Sequence, residues 1–342
     1  MANSCKISVA VGTFNGEAYI EEQLRSLFSQ TRLPDEIIIS DDHSSDRTLA
    51  LADEVLASFK SHGNIRVKIL KSDRNLGVVG NFARAFEACT GDILFPCDQD
   101  DVWKPDKIKI MADIFESAPG CSVVFSNAEL ADSELRPLGR SLWSSLNFFP
   151  FMVGRGKEYE NIFRLLLNRC VVTGTAMAFR RSLLPDAMPL SPFWIHDGWL
   201  AILCSCLSEV RPVDQCLLSY RQHEKNVVGA NSSDPFSRVR RYLGNFSAVR
   251  KIRLQRRNRY QDVLNRLEDL GRLPAPEDLS ELKRCIAFWN RKLSLDSRGF
   301  FQGFAIIVSD CLNGGYRKFY SGFRGAVRDF FCLFHRGNRP AR

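Results

Sequence analysis

Residues 92–103 read DILFPCDQDDVW. The first half is an apolar run of strand length; the second packs Asp98, Asp100 and Asp101 into four residues. Carboxylates repel one another and contribute nothing to a sheet, so a cluster directly behind a strand has to serve something outside the sheet. Working back towards the N-terminus, the same alternation recurs. Lys6–Val11 is a short strand ending at Gly12, and Ile20, Leu24, Leu27 and Phe28 keep helical spacing as far as Pro34. Glu36–Ser40 is a second strand, followed by a polar loop, Asp41–Asp46, and a helix from Leu49 to Phe59. Ile65–Leu70 alternates as a third strand and Val78–Cys89 is helical. Pro105 suits the first residue of a helix running to Phe115, and Cys121–Ser126 is another strand. Strands separated by helices of about a dozen residues specify βαβ units and a largely parallel sheet. In such sheets ligands bind beyond the carboxyl ends of the strands. Three polar clusters fall there: Thr13-Phe14-Asn15, Asp41-Asp42 and Asp98–Asp101. They are expected to converge on one crevice.

The 342 residues, 45% hydrophobic and 25% charged, fit a globular α/β protein of about two domains. Charge divides the chain unevenly. Residues 235–342 hold 23 Lys/Arg against 9 Asp/Glu, and the remainder holds 24 against 30. The expected division is a catalytic domain over 1–232 and a helical, basic region over 233–342. No secretory leader is expected, and no apolar run approaches the ~20 residues that span a bilayer; the stretch 300–312 is interrupted by Gln302, Ser309 and Asp310. Eleven cysteines without a CxxC pair argue against zinc ribbons and disulfide frameworks and for reduced thiols in the cytoplasm.

Two carboxylates one residue apart at a strand end can chelate a hard divalent cation, Mg2+ or Mn2+, which leaves coordination positions open for phosphate oxygens. Asp98 and Asp100 fit, with Asp101 either a third ligand or a cap for the following helix. A carboxylate at Asp41 or Asp42 can accept from the N3–H of uracil or thymine, and Phe14 offers a ring on which the base stacks. Taken singly, each cluster reads better as turn, loop and capping residues with a core Phe.

Together they resemble a known family. VAVGTFNGEAYIEEQLRSLFSQT (9–31), DEIIISDDHSSDRT (35–48) and RNLGVVGNFARAFEACTGDILFPCDQDDVW (74–103) resemble, in order, spacing and type, a family 2 glycosyltransferase of the GT-A fold over about residues 5–125. The DQDDVW form is similar to the bacterial rhamnosyltransferase-like subgroup. The resemblance implies a GT-A (Rossmann-like) nucleotide-sugar-binding domain with a mostly parallel central sheet, inverting transfer and a Mg2+ or Mn2+ cofactor. It places Thr13, Phe14, Asn15, Asp41, Arg74, Asn75 and Asp98 on the nucleotide or donor sugar. VVTGTAMAFRRSLL (171–184) resembles the acceptor-side segment around Gly174-Thr175. FWIHDGWLA (193–201) makes Asp197 the general base, although His196 stands where the family carries an acidic neighbour. YRQHEKNVVG (220–229) resembles the segment that closes the site. From it His223 would complete the metal set of Asp98 and Asp100, or touch the diphosphate, and Arg221 would pair with phosphate. Cys97, beside the cluster, is not needed as a nucleophile.

The subgroup resemblance implies dTDP-L-rhamnose as donor, with a UDP-sugar as the alternative because uracil and thymine present the same edge to Asp41. The implied acceptor is a growing glycan, lipid-linked as in lipopolysaccharide or O-antigen synthesis. Trp143, Phe148, Phe149 and Phe151 either line an acceptor site or pack among themselves. The tail mixes Arg/Lys with Phe, Tyr and Leu. It reads as a peripheral contact with the cytoplasmic face of the inner membrane, or as a helical bundle packed on the catalytic domain or a sister subunit in a homo-oligomer. No nucleic-acid reader motif is present. A sugar-nucleotide nucleotidyltransferase would need a basic phosphate loop after the first strand, where this chain has Gly-Thr-Phe-Asn-Gly. A non-catalytic sugar-nucleotide-binding scaffold would show broken acidic motifs.

Overall fold

The computed structural model describes residues 4–59, 64–153, 162–223 and 246–337. The chain divides into two compact units, residues 1–160 with 171–230, and residues 161–170 with 231–342.

In the first unit β1 (Ile7–Thr13), β2 (Glu36–Asp41), β3 (Arg66–Lys71) and β4 (Ile93–Asp98) alternate with α1 (Ile20–Phe28), α2 (Thr48–Ser58) and α3 (Gly77–Ala88). A two-residue strand β5 (Val102–Trp103) precedes α4 (Lys107–Ser117). There follow β6 (Cys121–Ala131), β7 (Pro137–Ser141), β8 (Met177–Arg180), the helix His196–Leu207 and β9 (Glu209–Arg221). One nine-stranded sheet runs β3-β2-β1-β4-β8-β6-β9-β5, with β7 paired to β6. Strands β3, β2, β1, β4, β6 and β9 share one direction and β5, β7 and β8 oppose it, so the sheet is mostly parallel.

The apolar runs of β1, β2 and β4 are continuous rather than alternating because these strands are buried on both faces. Edge strand β3 is mostly exposed and carries Arg66, Lys68 and Lys71, charges that discourage pairing with another chain. Register decides where the polar clusters go. Thr13 pairs with Asp41 across β1–β2, and Gly12 pairs with Asp98 across β1–β4. The three strand ends therefore finish level, at one rim of the sheet.

Three local readings change. Pro105 stands ahead of α4 rather than as its first residue; the helix opens at Lys107 behind Asp106. β5 is too short to leave a periodic signal, and β6 runs five residues past Ser126, to Ala131, because β9 and β7 pair with its far half. Trp143 and Phe148 are buried against Phe125, with ring centroids 5.6 and 5.7 Å from it, so these two aromatics are packed core. Phe149 is exposed.

The second unit is built from the helices Phe246–Asp269, Pro276–Ser294, Phe300–Leu312 and Phe323–Gly337, with shorter turns at Ile162–Leu166 and Gly315–Phe319. Segment 161–170 belongs here because Tyr260 donates its hydroxyl to the Leu167 carbonyl at 2.8 Å and Arg164 pairs with Glu277 and Asp278. The core contains Tyr260, Phe288 and Trp289, and also charge. Arg253 bonds Asp329 at 2.9 Å and Asp296 at 2.7 Å. Lys292 meets Asp310 at 2.8 Å and the Tyr316 hydroxyl at 2.7 Å, and that hydroxyl donates to Asp329 at 2.7 Å. Buried ions tolerate this only when each finds a partner.

Candidate active site

The end of β1 is organised by its neighbours. Thr13 donates its hydroxyl to Asp41 Oδ1 at 2.8 Å, and Asp41 also accepts from the Ser44 amide and hydroxyl at 2.9 and 2.6 Å. Three donors leave Asp41 one lone pair short of saturation, since a carboxylate offers about four. Asp42 turns the other way. It accepts from the Leu76 and Gly77 amides at 2.6 and 2.9 Å and so anchors the start of α3, where a negative charge is favoured. Asn15 adopts a left-handed φ of 47° and its Oδ1 accepts from the Ser45 amide at 2.9 Å. Asn75 Oδ1 accepts from the Gly77 amide at 3.1 Å, while Arg74 is exposed on the same turn. Phe14 keeps 46% of its surface in water, unusual for a ring at a strand end.

Gln99 joins the first cluster to the third. Its Oε1 accepts from the Phe14 amide and its Nε2 donates to the Phe14 carbonyl, both at 2.9 Å. A Cβ on Gly16 would come within 2.1 Å of that Oε1, so only glycine admits the clamp.

The acidic cluster itself is sorted by burial. Asp98 ends β4, and its carboxyl is pushed up to about 8, first by burial and then by the charges of Asp100 and Asp197, with Lys107 opposing. Asp101 is fully buried; burial first, then the charges of Asp100 and Asp98, hold its carboxyl well above the ordinary range. Its Oδ1 accepts from the Arg221 amide at 3.0 Å, so it ties β9 to the loop and does not cap α4. Asp100 is paired with His223 Nε2 at 2.8 Å, and the imidazole stacks on Tyr19 with centroids 4.8 Å apart. Residues 224–229 of the expected closing segment lie outside the described residues.

Arg221 is spent inside the protein. Its Nε donates to the Asp100 carbonyl at 2.7 Å, its two Nη groups donate to the Ser133 carbonyl and to Glu22, and its Cζ sits 4.7 Å from the Tyr19 ring centroid. With these bonds the Arg221 side chain is a buried staple between Asp100, Ser133 and Glu22. Cys97 is also buried, and burial drives its thiol well above the usual range, the wrong direction for a nucleophile.

Asp197 lies in the first turn of the helix His196–Leu207. Its Oδ2 accepts from the Gly174 amide at 2.9 Å and its Oδ1 from the Gly198 amide. His196 is buried between Phe82, at 4.1 Å between centroids, and Phe86, at 5.9 Å. Burial lowers its pKa below the ordinary 6.5, against a pull from Asp197, and neither ring nitrogen has a partner among the described residues. A Cβ on Gly174 would sit 2.6 Å from His196 Nε2. The two segments read as acceptor-side and base are thus in contact.

Among the described residues no three His, Cys, Asp or Glu side chains surround a common point. The donor set nevertheless suits a hard divalent cation. Asp98 and Asp100 are mutually repelling carboxylates at one strand end, and Asp98 is held protonated over a range where an adjacent cation would ionise it.

The model of the family described as Glycosyl transferase family 2 matches residues 8–187. The chain belongs to glycosyl transferase family 2. It is 30% identical over 238 residues to the dTDP-rhamnosyl transferase RfbG of Shigella flexneri, covering 65% of this chain and 75% of that one. It is 25% identical over 266 residues to the abequosyltransferase RfbV of Salmonella typhimurium, covering 72% and 74%. Among solved structures, residues 1–349 of S. aureus TarS in complex with UDP-GlcNAc align with a TM-score of 0.51 at 17% identity, over 98% of this chain and 93% of that one. That likeness speaks to the fold, the GT-A arrangement with a helical C-terminal region. Membership makes this chain a glycosyltransferase acting on nucleotide sugars.

Several residues of this family 2 glycosyltransferase site carried no sequence signal of their role. Lys107 is fully buried; its ammonium donates to the Thr175 carbonyl and lies 3.5 Å from the Trp103 ring centroid. Burial lowers it to about 7 against the pull of Cys97, Asp101 and Asp98. Asn81 accepts from the Ser40 hydroxyl at 2.7 Å and donates to the Ser40 carbonyl at 2.8 Å, while Arg84 donates to the Asp41 carbonyl at 2.7 Å. These groups fix the ends of β1 and β2 from below. Their one visible trace was polarity on the inner face of α3.

Proposed function

We propose that this chain is an inverting, divalent-cation-dependent glycosyltransferase that moves L-rhamnose from dTDP-L-rhamnose to a hydroxyl of a growing, lipid-linked cell-surface glycan such as O-antigen. The work would take place at the cytoplasmic face of the inner membrane. The observation that carries the mechanism is Asp197: its carboxylate is held by two backbone amides at a helix start and is close enough to raise Asp98. The rhamnosyl donor is supported by the 30% identity to RfbG.

In this reading the base stacks on Phe14 and its N3–H is accepted by the remaining lone pair of Asp41. Thr13 and Asn15 shape that pocket, and Arg74, Asn75 and Gly174 border the donor. Asp98, Asp100 and His223, which do not surround a common point here, would be the groups to hold Mg2+ or Mn2+, and the cation would neutralise charge on the diphosphate. The two amides leave Asp197 with free lone pairs, so it can take the proton of the acceptor hydroxyl as that oxygen attacks the anomeric carbon. The bond to the diphosphate breaks on the opposite face and the leaving oxygen keeps the electron pair. No covalent intermediate with the enzyme forms.

Titration calorimetry with dTDP and UDP, each with Mn2+ and with EDTA, tests the reading. Binding that requires the metal and is lost in Asp100→Ala supports it. Equal binding in EDTA removes the cation, and tighter binding of UDP than of dTDP moves the donor to a UDP-sugar.

A further inference from the structure

The helix Phe300–Leu312 is built inside out for a helix facing water. Its outer side is Phe301, Gln302, Phe304, Ala305, Val308, Ser309, Cys311 and Leu312, with no charge among them. Its sole charged residue, Asp310, is 1% exposed and is consumed by Arg291 and Lys292. Phe301 and Leu312 are 85% and 83% exposed. The helix Phe323–Gly337 repeats the arrangement. Phe323 is 83% exposed, Phe331 and Phe334 also face outwards, and Asp329 is turned inwards onto Arg253. The two helices meet closely because Gly303 leaves room for Leu333, to which an added Cβ would come within 2.6 Å. Rings from both then form one continuous outer cluster, with Phe300 6.4 Å from Phe334 and Phe304 5.9 Å from Phe330.

Charge is sorted by sign along the same stretch. Between residues 298 and 334 both acids, Asp310 and Asp329, are buried, whereas Arg298, Arg317, Lys318 and Arg324 are exposed. Lys318 is partly neutralised by Glu281. A face intended only for solvent would show charges of both signs and few aromatics. A stretch whose exposed residues combine Phe and Leu with cations and no acid matches the boundary of an anionic bilayer, where rings enter the headgroup region and cations meet phosphates. Depth is limited by length. The helix of 13 residues spans about 20 Å at 1.5 Å per residue, short of the ~30 Å hydrocarbon layer. Among the described residues no helix is long and apolar enough to cross a membrane.

We propose that the outer face of the helices Phe300–Leu312 and Phe323–Gly337 is a membrane-docking surface that lies in the interface of an anionic lipid bilayer. It deepens the membrane-side reading above by naming the surface, yet it needs neither donor nor acceptor to be correct.

The test is flotation of the full chain with vesicles of phosphatidylcholine alone and of phosphatidylcholine with phosphatidylglycerol. It is repeated on the triple variant Phe301→Ser, Leu312→Ser, Phe323→Ser, whose three sites are too exposed to hold the fold together. The wild type should float with anionic vesicles, less with added salt, and the variant should partition about tenfold more weakly or worse with unchanged circular dichroism and dTDP binding. Equal flotation of the variant overturns the proposal. So does indifference to phosphatidylglycerol. A wild-type dimer that the variant splits in light scattering, without vesicle binding, assigns the face to a second copy of this chain instead. Transfer activity on a soluble acceptor is read separately: its absence with flotation intact counts against the enzymatic reading alone, and the reverse against this one alone.

Discussion

The amide of Gly174 donates to Asp197 Oδ2 at 2.9 Å, joining the segment before β8 to the first turn of the following helix. The same Gly174 abuts His196 Nε2 on its other side. One glycine thus sets both the direction of the carboxylate and the depth of the imidazole beside it.

Replacing that carboxylate isolates its chemistry. Asp197→Asn keeps an oxygen for the Gly174 amide but cannot take a proton, so kcat should fall by about 10²–10⁴. Nucleotide affinity measured calorimetrically should stay within about twofold.

Gly174→Ala should cost about 1–3 kcal/mol of stability and most activity, because the new methyl meets His196 Nε2 at 2.6 Å. Adding His196→Ala removes the obstacle. A double-mutant cycle on denaturant midpoints should show that the second change recovers part of the loss caused by the first.

Phe14→Ala should weaken dTDP binding by about 1–3 kcal/mol, the usual worth of a base stacked on a ring. The side chain is 46% exposed, so the melting temperature should hardly move. A large drop in melting temperature with unchanged binding would contradict the stacking role.

The acidic cluster makes stability depend on pH in a stated direction. Folding raises Asp98 from 3.8 to about 8, so the folded state keeps a proton that the unfolded chain releases. That advantage is complete below about 4 and is lost as pH rises through about 8. Without divalent cations the melting temperature should therefore decline between those limits. Mn2+ should restore it most at the upper end, because binding favours the ionised carboxylate. Asp98→Asn should flatten both trends in a thermal-shift series.

Arg221→Met should lower stability by about 1–3 kcal/mol, since carbonyls of Asp100 and Ser133 lose buried donors. Chemical denaturation checks this. If kcat falls while stability holds, the side chain acts on phosphate after all.

How much could be read beforehand follows from where information sits. Period and punctuation revealed β1 to β4 and the three polar ends, because the buried strands β1, β2 and β4 are apolar until their polar residues begin abruptly, and the edge strand β3 alternates. Convergence of those ends could be inferred from topology, and the register of Gly12 with Asp98 and Thr13 with Asp41 bears it out. Partners were another matter. Asp41 and Asp42 are identical neighbours in sequence, yet one faces Thr13 and Ser44 and the other secures α3. Lys107 and Lys109 share a helix, but one is buried beneath the acids and the other is an exposed mate of Asp113. Arg221 shows its charge in the sequence but not the three acceptors and the Tyr19 ring that absorb it. The tail revealed its composition without its phase, so the inward acids and outward rings became visible only once the helices were placed.

Arg253, Lys292, Asp310 and Asp329 make assembly of the helical unit depend on directed bonds that solvent never touches. A unit keyed from within does not need its outward residues for its own architecture. Single-codon changes among Phe301, Leu312 and Phe323 can then alter what the tail adheres to while the key still fits, so adhesion and architecture can evolve at different speeds on one scaffold.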